Sequence, residues 1–240
     1  MTNRLIRAPR PYSAPAERVE ILPFRVRLAS NEDDLARLVR LRSDVYERHV
    51  PGMGEALRHP ESEDFREDVA LILAECKTTG TILGSMRLVT NLCTPLHLES
   101  EVELPAHFLG KKMLEAWRLT VRPGSAGKMV SAALYKALFE ISHHCDIDHV
   151  LVVARRPVDR LYQMMQFSEV IRGQKILLSN TMGLPHSLYH LPVKEADKRW
   201  KQAQCPLYPF MAMTTHPDLE LNHHDVLARF LSAHTAEHRH

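Results

Sequence analysis

The stretch MLEAWRLTV (Met113–Val121), running straight into RPGSAGKMVSAALYKALFEI (122–141), decides how the chain is read. The first part has the apolar content of a buried strand but carries Glu115 and Arg118. The second part adopts helical spacing, with Val130, Leu134, Leu138 and Ile141 on one side. In a regular strand, residues three apart point to opposite faces. A one-residue bulge would bring Glu115 and Arg118 to the same side, bend the strand away from its neighbour and open a cleft in the sheet. The plainer alternative is that both residues belong to a partly buried structural ion pair.

Working outward, Phe24–Leu28 reads as a strand, with Ser30 as the N-cap of a helix whose apolar stripe is Leu35, Leu38, Val39, Val45 and Tyr46. Arg42 falls inside that stripe. Val69–Cys76 and Thr81–Thr90 read as a hairpin, and Arg87 shares a face with Leu83 and Val89. An arginine among apolar neighbours is costly unless paired or used. Arg42, Arg87 and Arg118, with Glu61, Asp64, Asp68 and Glu115 as partners, suggest a charged floor beneath a cleft.

Beyond the helix come a strand at His149–Ala154 and a short helix opening at Pro157 and running through Leu161, Tyr162 and Met165. Two further strands are expected on either side of Ser179–Pro185, then helices over 194–204 and 222–234. The order predicts an α/β fold: a mixed central sheet flanked by helices, with a helical crossover between its central strands. Residues 1–23, with Arg4, Arg7, Arg10, Arg18 and four prolines, read as a disordered basic arm; 24–193 form the main domain; 194–240 form a helical extension with a His-rich end.

Formal net charge is +2 with 25% charged residues, which argues against a nucleic-acid partner and against disorder. Cys76, Cys93, Cys145 and Cys205 are far apart and lack metal-ligand spacing, so no metal site is expected and a reducing, cytoplasmic setting is. No apolar run reaches the roughly 18 residues of a membrane span.

The strand, helix, strand, helix order ending in LYQMMQFSEV resembles the GNAT N-acyltransferase superfamily, whose last core helix commonly carries a Tyr followed by Gly-Phe. Tyr162 and Phe167 match, with Gln166 in place of the glycine. The family's pyrophosphate loop should fall at Ala126–Ser131, where only Gly127 survives, because Ala126, Met129 and Ser131 occupy the keyed positions. That loss disfavours coenzyme A. It suits the acyl carrier protein-dependent branch, whose donor presents a single phosphate. LRSDVY (Arg42, Tyr46), the acidic stretch around Asp64, GSMRL (Arg87) and LEAWRLTV (Glu115, Arg118) resemble the charged pattern of autoinducer synthases and N-acyl amino acid synthases over residues of roughly 24 to 170. The absence of Trp or Phe from Pro51–Pro60, with SLYHLPV and PLYPFMAM further on, favours the amino acid synthases.

The resemblance implies splayed fourth and fifth strands that admit an acyl-phosphopantetheine arm, with no tightly bound cofactor. The expected reaction is attack of a free amino acid's α-amino group on an acyl carrier protein thioester. Glu115 is the candidate base and Tyr162 the proton donor to the thiolate; Arg42, Tyr46, Asp64, Arg87 and Arg118 are assigned to the acceptor. Arg122, Gly127, Lys128, Arg155 and Arg156, with Lys111 and Lys112, are assigned to the donor and its acidic carrier. Competing expectations are an acyl-homoserine lactone synthase using S-adenosylmethionine and a non-catalytic acyl or carrier-protein binding module.

Overall fold

The computed structural model describes residues 18–124 and 126–232, residue 180 by its backbone only. Its strands are β1 (Arg18–Val19), β2 (Phe24–Leu28), β3 (Val69–Cys76), β4 (Ile82–Thr90), β5 (Met113–Val121), β6 (His149–Ala154), β7 (Ser168–Glu169), β8 (Ser187–Pro192) and β9 (Thr214–Thr215). The helices are α1 (Glu32–His49), α2 (Met53–Ala56), α3 (His97–Glu101), α4 (Gly127–His144), α5 (Asp159–Met164), α6 (Ala196–Gln202) and α7 (His223–Phe230).

Seven strands form one sheet in the order β2-β3-β4-β5-β6-β8-β7. Only the β5–β6 pair is parallel, joined by α4 as a crossover. The mixed α/β architecture is the one expected from the sequence. The last part differs: 170–186 contributes only an isolated bridge, Ile176 to His186, and β7 precedes it as a two-residue strand. The start of α1 differs too. Asn31 is its N-cap, accepting from the Asp34 amide at 2.8 Å, while Ser30 donates its own amide to the Asp34 carboxylate.

Both faces of the sheet are covered. On one, Phe24, Ile72, Met86 and Leu114 pack with Leu134, Leu138 and Ile141 of α4, and with Trp200 and Phe230. The C-terminal helices are therefore part of the main core rather than an appendage. On the other face, Leu38 and Val39 of α1 join Leu71, Val89, Met113, Leu151 and Leu188. The basic arm expected over 1–23 is shorter among the described residues: Arg18–Val19 pairs in parallel with Thr214–Thr215, and Leu22 is buried. Residues 1–17 and 233–240, which hold the rest of that arm and the end of the His-rich tail, lie outside the described residues.

The fit of α4 on the sheet depends on Gly84. A Cβ there would lie 2.7 Å from Val130 Cγ1, 3.0 Å from Leu134 Cδ1 and 3.1 Å from the Thr120 carbonyl. Gly84→Ala is expected to lower the unfolding free energy by about 1–3 kcal/mol through overpacking. A shift of the urea midpoint at unchanged slope checks it.

Candidate active site

In β5 the residues opposite Ser85 and Arg87 are Thr120 and Trp117, so two residues, Arg118 and Leu119, face Met86 alone. This is a one-residue bulge, and Arg118 takes φ +52°, a conformation that side chains with a Cβ rarely adopt. The consequence is seen on the β6 side. Pairing runs from Met113–His149 to Ala116–Val152 and stops there, although both strands continue. The expected splay is present.

A cleft of about 350 Å³ fills the gap, lined by Ala116–Leu119 of β5, Val153 to Val158 beyond the last β6 pair, Tyr46 and His49 of α1, Tyr162, and Thr181, Leu184 and His186 of the segment before β8. A cavity of about 370 Å³ lies between Asn91, Phe108 and Lys111, but borders neither the bulge nor β6.

Beneath the cleft, three arginines meet two carboxylates. Arg42 donates to both Asp64 oxygens at 2.8 and 3.0 Å, and Arg87 donates to Asp64 Oδ1 at 2.6 and 3.1 Å. Glu61 accepts from Arg118 at 2.5 and 2.9 Å, from Arg87 at 2.7 Å and from Arg42 at 3.1 Å. Glu61 precedes and Asp64 lies within the short turn Ser62–Phe65; the Glu61 amide donates to Asp64 Oδ2 and the Asp64 amide to the Glu61 carbonyl, both at 2.9 Å. Burial opposes ionisation of Asp64, but Arg42 and Arg87 hold its carboxyl down at about 2; Arg118, Arg87 and Arg42 likewise keep Glu61 below the ordinary value. Of the three arginines only Arg118 lines the cleft, its guanidinium 5.6 Å from the centre of the Tyr46 ring. Arg42, Arg87 and Asp64 form the layer behind it. Asp68 is not part of this cluster and pairs with Arg66.

The bulge does place Glu115 on the Arg118 side of the strand, but Glu115 is not a partner of these arginines in the ion pairs. It is 1% exposed, between Val89 and Leu151 in the sheet, and is not among the residues lining the cleft. Burial pushes its carboxyl up to about 8, with the Trp117 indole and the Leu98 backbone drawing it back only in part, and Oε1 has no hydrogen-bond partner. Glu115, expected to serve as the base directly or through a water, is thus enclosed in the sheet and does not face the cleft, where a base has to reach the proton it removes.

Tyr162 does line the cleft, packed edge-on against Tyr135 at 5.5 Å, and burial pushes its phenol up to about 12. Arg155 and Arg156 lie on the cleft wall; Arg122, just past the end of β5, and Lys128, in the first turn of α4, are exposed and do not line it. Lys111 and Lys112 are separated from this rim by the length of β5, and Lys112 pairs with Asp146 at 2.9 Å. Gly127 opens α4 after Ala126, whose side chain supplies no cap, and the Ser131 hydroxyl is engaged with the Gly127 carbonyl at 2.9 Å. Reading the sequence missed His186, which nothing but its place in the fold brings to the cleft.

No helix among the described residues is long and apolar enough to cross a membrane. No curated protein matches the sequence. Among solved structures, FeeM, an N-acyl amino acid synthase from uncultured soil microbes, is 15% identical with a TM-score of 0.55, covering 74% of this chain and 95% of its own. BjaI, a CoA-dependent acyl-homoserine lactone synthase solved with MTA, is 18% identical with a TM-score of 0.55, over 86% of this chain and 98% of its own. These likenesses establish the N-acyltransferase fold. The model of the N-acyl amino acid synthase FeeM family matches residues 37–192, and the chain belongs to that family as an acyltransferase.

Proposed function

We propose that the enzyme moves a long-chain acyl group from the phosphopantetheine thioester of an acyl carrier protein to the α-amino group of a free amino acid, forming an amide and releasing the carrier thiol. The observation that carries this reading is the end of β5–β6 pairing at Ala116 and Val152 while both strands run on. The facing backbone groups are left for an extended, amide-bearing arm to bond as an added strand.

The α4 N-terminus suits one phosphate: its first amides and the helix dipole favour an anion, and Gly127 allows close approach. With Ser131 already bonded and Met129 exposed beside it, a second phosphate has less to hold it. Arg122, Lys128, Arg155 and Arg156 form the rim that draws in an acidic carrier.

Arg118 receives the acceptor's carboxylate, held in place by Glu61, Tyr46 and the Arg42–Asp64–Arg87 layer behind it. Backbone N–H groups around the bulge at Trp117–Leu119 stabilise the thioester oxygen as it gains charge. The Tyr162 phenol, kept protonated by burial, gives its proton to the departing sulfur. No tightly bound cofactor is needed, and the reading places the enzyme in the cytoplasm.

The test is one incubation with hexadecanoyl acyl carrier protein and all twenty amino acids, followed by mass spectrometry, beside a parallel reaction with hexadecanoyl coenzyme A. One N-acyl amino acid formed from the carrier alone is expected. Product from coenzyme A alone would overturn the carrier assignment. An acyl-homoserine lactone appearing only when S-adenosylmethionine is added would overturn the acceptor.

A further inference from the structure

Amide formation needs a neutral amine, and with Glu115 enclosed the acceptor's ammonium proton has no recipient among the residues assigned above. The cleft's titratable side chains are Tyr46, His49, Arg118, Arg155, Arg156, Tyr162 and His186. The arginines stay protonated, burial keeps Tyr162 protonated, and His49 is an exposed residue at the end of α1.

His186 is different. It is half-buried in the cleft wall, one residue before β8, and its Nδ1 lies 2.7 Å from the Leu184 carbonyl oxygen. A carbonyl can only accept, so Nδ1 carries the hydrogen and Nε2 is left with its lone pair. Nε2 makes no hydrogen bond to any described residue, and His186 lines the same cleft as Trp117 and Arg118. Burial lowers the imidazole's proton affinity; the Leu184 contact works against this, and the nearby Arg155 and Lys175 cations add to it, so the ring is neutral at pH 7.

We propose that His186 is a catalytic residue, the general base whose Nε2 removes a proton from the acceptor's ammonium, with the Leu184 carbonyl fixing the tautomer. This rests on the amide-forming reading given above. The freed nitrogen lone pair forms a C–N bond at the thioester carbon as the carbonyl electrons move to oxygen. Collapse of that adduct breaks the C–S bond, and the sulfur takes its proton from Tyr162. The Tyr162 phenolate recovers one from the amide nitrogen, and the His186 imidazolium releases its proton to solvent. Of the two protons the nitrogen loses, one ends on the thiol and one in water.

The test uses the full chain with hexadecanoyl acyl carrier protein and whichever amino acid is acylated. His186→Asn keeps a side-chain donor for Leu184 but has no basic nitrogen, and His186→Ala removes both. Both variants are expected to lower kcat about 10²–10⁴-fold at pH 7, the usual size of a general-base contribution. The KM for the carrier and the urea midpoint of His186→Asn should stay at wild-type values. The deficit should shrink as rising pH deprotonates the free amine, a trend that a purely structural role would not produce. An Asn variant within threefold of wild-type kcat, or a deficit that does not change with pH, would overturn the proposal alone. Absence of amide from the wild type would overturn the parent reading and this inference with it.

Discussion

Replacing Asp64 with alanine is expected to lower the unfolding free energy by about 3–5 kcal/mol, the range for breaking a buried ion pair from one side. Asp64 accepts from both Arg42 and Arg87, which are 1% and 3% exposed, so its removal leaves two desolvated guanidinium groups sharing Glu61. Denaturant unfolding should show the loss, together with a fall in activity, because Arg118 is anchored through the same Glu61. A loss below 1 kcal/mol would mean that the cluster is solvated or rearranges freely. Asp64→Asn keeps acceptor geometry on one side and should cost less.

Glu115→Gln should act in the opposite direction and only over part of the pH range. The folded carboxyl titrates at about 8 against an ordinary 4.5, so the native state holds a proton that the unfolded chain has already lost. Below the unfolded value both states are protonated and the residue is neutral in effect. Between the two values wild-type stability falls as pH rises, and above the folded value the loss is complete. At about 1.4 kcal/mol per unit the full penalty is on the order of 5 kcal/mol. Glutamine carries no such penalty, so the variant should match the wild type near pH 4 and become progressively more stable up to pH 8, as read by urea midpoints. Parallel stability curves would show that the carboxyl is not desolvated as described. With its side chain outside the cleft, the variant should also retain turnover, whereas a catalytic Glu115 would abolish it.

The parts of this molecule visible in its sequence are those where side-chain chemistry conflicts with local pattern. Arg42 in the apolar stripe of α1, and Glu115 and Arg118 in an apolar strand, announce buried charge, and the passage from strand to helix at residue 121 announces the crossover. The pairing is less visible. Four acids lay within sequence reach of three arginines, and only the fold of the 57–66 segment decides that Glu61 and Asp64 take them while Glu115 is enclosed away from them. Two-residue strands such as β1 and β9 carry no periodicity to detect. His186 sits in a stretch rich in Ser, Gly and Pro, where a lone histidine reads as surface; its chemistry comes from a carbonyl two residues away and a wall about seventy residues away.

The extra residue in β5 also acts as a phase shift in the chain. Leu114 and Ala116, even-numbered, pack towards α4, and beyond Arg118 it is the odd-numbered Leu119 and Val121 that join the same core. One strand thus has two reading frames separated by a single position. Parity along β5 no longer tells a protein engineer which side chains are core, and deleting one residue at 118 would merge the frames, straighten the strand and draw it back towards β6.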